Sequence, residues 1–121
     1  MSNVRPMSVS IQDETVWLQS LSAADRARFL ASLSHHLTVA IRVLCHSAGP
    51  AEQTVEWVCL LNEAHHRVSS YLSHHHAGDE DPGWVRAVVE YVLDLKEPVV
   101  LQQAEQAWFW SRKALSRDQT A

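Results

Sequence analysis

The chain has 121 residues, 46% apolar and 20% charged, with a formal charge of −4 and a pI near 6.0. That length suits one domain able to bury roughly two-thirds of its unfolded surface. Ten Lys and Arg lie scattered without a basic stripe, which argues against a nucleic-acid partner, and three Gly and four Pro leave little material for turns, so few, long helices are expected.

Residues 1–9 lack periodicity and read as a disordered leader. They hold no apolar signal segment, and no run of about 18 apolar residues follows, so a cytoplasmic protein without a membrane partner is expected. Residues 10–116 are read as a single helical-bundle domain and 117–121 as a frayed tail. The first helix is predicted from Gln12 to Leu21, burying Val16, Trp17 and Leu21. Ser22 then reads as an N-cap, with Asp25 three residues on.

The second helix is predicted from Ala23 to Ser47. Leu30, Leu33, Leu37, Ala40, Ile41 and Leu44 recur at spacings of three and four, the seam of a helix packed on a helix. Gly49-Pro50 breaks the pattern, and a third helix follows from Ala51 to His76 with Trp57, Leu61, Ala64, Val68 and Leu72 as its stripe. Two helices of this length joined by a short turn predict an antiparallel hairpin, each arm nearly 40 Å long. Cys45 and Cys59 flank the break and read as buried thiols, although a pairing across the turn stays open.

Residues 77–83 form the clearest loop. A fourth helix from Pro82 to Lys96 is apolar almost all round, hence either central or covered by a partner. Its valines admit a strand as the alternative, but no second strand is available to pair with it. Glu97-Pro98 interrupts, and a fifth helix is predicted from Val99 to Leu115. The fold class is thus all-α, a bundle of four to five helices built on a long hairpin.

Eight histidines include two doublets, His35-His36 and His65-His66. Histidine is both the neutral-pH switch and the commonest metal ligand. Successive helical residues rotate by about 100°, which puts His36 and His65 at the edge of their core stripes and His35 and His66 on the far face. Asn62, Glu63 and Arg67 surround His66, completing a candidate surface polar cluster with His35. No two histidines have the i,i+3 or i,i+4 spacing that lets one helix share an ion. Glu63 and His66 have the spacing of a di-iron bundle motif but point away from the core, without a second such pair. His74-His75-His76 with Asp79, Glu80 and Asp81 offers only adventitious metal binding. No resident metal or cofactor is expected. A thiol–imidazole pair of Cys59 and His66 lacks any activating context.

The run Phe29-Leu30-Ala31-Ser32-Leu33-Ser34-His35 resembles the H-box of sensor histidine kinases, and Glu63-Ala64-His65-His66-Arg67-Val68 resembles that of a second kinase subclass. The resemblance implies a dimerising helical hairpin with His35 and His66 as phosphoacceptors on its exposed face. His36 stands where the acidic base usually follows the acceptor, Thr38-Val39-Ala40 where Arg-Thr-Pro is usual, and Ser69-Ser70 where Lys-Asn is usual.

Trp108-Phe109-Trp110 spans about 200° of a helix, more than one core face covers. With Val89 and Leu93 of the fourth helix, these three rings are the candidate interface, since Trp is enriched at interface centres. The functional expectation is a non-enzymatic protein–protein interaction or regulatory module, most simply a homodimer, with nearby histidines making affinity pH-sensitive. The alternatives are a histidine phosphoacceptor domain and a metal-binding bundle.

Overall fold

The computed structural model describes residues 10–47, 52–74 and 82–120. Within them lie five helices and no strand: α1 (Ile11–Ser20), α2 (Ala23–Ser47), α3 (Glu52–His74), α4 (Pro82–Leu93) and α5 (Pro98–Thr120). The leader at 1–9, the Gly49-Pro50 break, the loop at 77–81 and the side chains of the acidic and histidine runs around it lie outside the described residues.

Local chemistry sets the helix starts. Ser10 caps α1, its hydroxyl accepting from the Asp13 amide at 3.2 Å. Ser22 caps α2 by the same contact to the Asp25 amide at 3.1 Å, as its position ahead of the apolar stripe predicts. Pro98 opens α5, where its missing amide costs nothing, and the Leu101 amide donates to the Glu97 carbonyl at 2.8 Å. The α4 helix stops at Leu93 rather than Lys96: Pro98 has no N–H to bond the Asp94 carbonyl, its ring would clash with that carbonyl in a continued helix, and it disfavours helix at Glu97. The α5 helix in turn runs past the predicted end at Leu115 to Thr120.

The predicted stripes form the core. Leu30, Leu33, Leu37, Ala40 and Leu44 of α2 and Leu61, Ala64 and Val68 of α3 are buried, with Ile41, Trp57 and Leu72 packed at the margin. The α2 helix packs most extensively on α3 and α5, while α4 meets α1, α3 and α5. Surrounded on three sides, α4 buries Trp84, Val85, Val88, Val89, Val92 and Leu93. Its valines are poor helix formers, but packing on three neighbours outweighs fractions of a kcal/mol in propensity. Trp84 stacks on Tyr71 of α3 with centroids 5.4 Å apart, and the Arg67 guanidinium lies 4.5 Å above Tyr91.

One buried polar device fixes α1. Trp17, Phe29 and Trp108 make successive edge-to-face contacts at 4.9 and 4.8 Å, linking α1, α2 and α5. The buried Trp108 indole needs an acceptor, and donates to the Glu14 carboxylate at 2.7 Å. Arg112 donates to both Glu14 oxygens, at 2.8 and 3.0 Å, and lies 4.2 Å over the Trp17 ring.

Several expectations are corrected by this packing. Turning Glu14, Thr15 and Leu18 inward rotates Val16 to the surface, where it is 57% exposed rather than buried. Val89, Leu93 and Trp108 are core residues covered by the chain's own helices, so none is open to a partner. Cys45 and Cys59 are exposed free thiols rather than buried ones, since Cys59 falls opposite the core stripe of its helix and Cys45 about 100° away from its own.

Candidate functional site: a groove between α2 and α5

The inner rings of the doublets join helices to each other. His36 Nδ1 lies 2.8 Å from the Ser32 carbonyl, an obligate acceptor, so that nitrogen carries the proton. Ser111 Oγ, 3.3 Å from the same nitrogen, gives its own hydrogen to the Ala107 carbonyl at 2.8 Å and so accepts from His36. This ties α2 to α5 and leaves Nε2 as the ring's acceptor. His65 does the same between α3 and α2. Its Nε2 is 3.1 Å from both Ser34 Oγ and Thr38 Oγ1. The Thr38 hydroxyl already donates to the Ser34 carbonyl at 3.1 Å, so His65 Nε2–H is the donor. Ser69 extends the network to Ser34 at 3.2 Å. Helical rotation puts both rings at a stripe edge, and there each is bonded across a helix interface.

The outer rings are exposed. His35 touches its neighbour His36 edge-on at 5.4 Å, and Glu63 pairs with Arg67 at 3.8 Å on the α3 surface. Asn62 and His66 are exposed beside them, and among the described residues no contact joins His35 to that α3 set. Among the described residues, no three His, Cys, Asp or Glu side chains are grouped to hold a metal. Cys59 and His66 are two turns apart on one helix, roughly 10 Å, too far for direct thiol activation.

The aromatic end gives the clearest surface feature. Phe109 packs partly against the core, whereas Trp110 is 55% exposed. A groove of about 380 Å³ runs between α2 and α5, lined by His36, Val39, Ala40, Val43, Gln103, Gln106, Ala107 and Trp110. A second hollow of about 440 Å³ lies on the other side of the same indole, against Gln106, Phe109 and Lys113. Val39 and Val43 are 41% and 47% exposed. Neither was singled out from sequence, although His36, Val39 and Val43 follow one another at helical spacings along a second stripe beside the leucine seam. The groove thus brings together one histidine of a doublet and one ring of the aromatic triplet, which sequence reasoning treated apart.

Among the described residues, no helix is long and apolar enough to cross a membrane. Comparison of the chain with known protein families, characterised proteins and solved structures returns no match.

Proposed function

We propose that this chain is a non-enzymatic protein–protein interaction module that receives a partner along the α2–α5 groove. The observation that carries this reading is Trp110. An indole more than half exposed, set between two hollows and faced by two exposed valines, leaves a concentrated apolar surface in water. Contiguous patches of this kind on a folded domain mark interaction sites, and Trp is the residue most enriched among interface hot spots. The non-enzymatic reading is supported by the scatter of ionisable groups and by inner histidines already committed to helix-to-helix bonds. A regulatory side to the docking rests on His36. Its Nδ1–H is held by the Ser32 carbonyl and Ser111 Oγ, so the ring stays fixed in the groove lining and Nε2 is left outside those bonds.

The test is a photo-crosslinking residue placed at position 106, exposed and lining both hollows, in cells producing the protein, with the exposed α1 position Gln19 as control. A discrete adduct from position 106 and none from position 19 is expected. Equal adducts, or none, overturn the docking role. Sedimentation at tens of micromolar, with and without Trp110→Ala, shows whether the adduct is a second copy of the chain, the homodimer expected from sequence.

A further inference from the structure

Given the docking role read for the groove above, we propose that its occupant is an acidic amphipathic helix of a partner protein and not a second copy of this chain. Charge is distributed unevenly over the molecule. The chain carries a net −4, yet among the described side chains the exposed carboxylates sit elsewhere: Asp13 on α1, Glu56 and Glu63 on α3, Glu90 in α4 and Asp94 just past its end. After Asp25, half-buried and paired with Arg28 at the helix start, α2 has no carboxylate through Ser47. Of the carboxylates on α5, Glu105 is buried, and Asp118 follows Arg117 near the helix end.

A fixed cation remains on each side. Arg42, exposed and three residues after Val39, stands on the α2 ridge beside the valines, with the exposed rings of His35 and His46 along the same ridge. Past the Trp110 indole, Lys113 lines the second hollow, its ammonium 5.6 Å from the ring. An apolar floor between cationic walls matches a helix with apolar side chains at i, i+3 or i+4 and i+7 and carboxylates flanking them. A two-fold dimer through this face sets the same patch against itself, so the cations Arg42 and Lys113 of one copy face a patch that carries the same cations, and like charges across an interface are unfavourable. Docking the acidic α3 face of another copy is a head-to-tail contact, which closes into rings or grows without end. The exposed valines and indole favour a protein helix over a nucleic-acid strand, whose backbone offers phosphates and no apolar ridge.

The experiment uses the full chain and a labelled helical peptide of about 18 residues, long enough to span the groove, with Leu at i, i+3, i+4 and i+7 and Glu at the flanking positions. A matched peptide has Lys for Glu. By fluorescence anisotropy at low salt, the acidic peptide should bind at least about tenfold more tightly than the basic one. Arg42→Glu with Lys113→Glu should erase or invert that preference while circular dichroism reports an unchanged fold, as both residues are exposed. Equal binding of the two peptides removes the acidic occupant but leaves the groove as a docking surface. Binding unaffected by Trp110→Ala or Val43→Ser removes the groove itself. Self-association that is lost in Trp110→Ala and not competed by the acidic peptide gives the groove to a second copy. A single-stranded oligonucleotide that displaces the acidic peptide at equal concentration gives it to nucleic acid.

Discussion

The histidine doublets resolve at the scale of single side chains. His36 and His65 are each held by oxygens of a neighbouring helix, whereas His35 and His66 are exposed. Replacing a hydrogen-bonded, half-buried ring costs about 1 kcal/mol, because Ser34 and Thr38 lose a partner they had only in the folded state. His65→Leu is therefore expected to lower the unfolding free energy measured in urea by that amount, while His35→Ala and His66→Ala stay within about 0.5 kcal/mol of the parent. A phosphoacceptor role makes a different demand, an acid-labile phosphate lost on His35→Ala or His66→Ala. Glu14 is the second telling residue. Glu14→Ala strands the Trp108 indole N–H and the Arg112 guanidinium together and should cost about 2–3 kcal/mol. Glu14→Gln keeps an oxygen for the indole and loses the ion pair, so its cost in the same denaturation series should be clearly smaller.

Whole helices were the most legible level. The three-and-four spacing of the leucines in α2 predicts both its extent, Ala23–Ser47, and its buried face, since burial on one side is what that periodicity means. Reading α1 failed for a reason specific to one residue. Its most apolar face includes Val16, but the core contains an indole that needs a carboxylate, and Glu14 on another face of the helix supplies it. Polar pairing between α1 and α5, which are distant in sequence, leaves no periodic signature. The α4 stripe posed a related ambiguity. A helix apolar all round is consistent with a central position or a covered surface, and only its three packing partners separate the two. Val89→Ala tests the outcome. Removing two methyl groups from a fully buried site should destabilise the fold by about 2 kcal/mol. Association measured by sedimentation should not change, as it would if Val89 faced a partner.

At the scale of the whole molecule, stability and docking fall on different surfaces. The core runs through α4 and the inner faces of α1, α2, α3 and α5, and Trp108 belongs to it entirely. Trp110, two positions on, is turned outward by roughly 200° and contributes little to that core. The same rotation explains why the triplet was only partly readable. Sequence showed that one face could not cover three rings, while which ring is left out depends on how α5 is turned against α2 and α4. A residue retained for folding and a residue retained for binding respond oppositely to substitution. Trp110→Ser removes an indole that water already reaches, so the unfolding free energy should move by less than about 0.5 kcal/mol and solubility should rise. The same change removes the ring that separates the two hollows, so crosslinking and peptide binding should both be lost. Trp108→Ser should do the reverse, unfolding the domain at moderate denaturant by leaving a large cavity and the Glu14 carboxylate without its indole donor. A loss of several kcal/mol in the Trp110 variant would place that indole in the fold's own packing and leave the α2–α5 groove without a docking role.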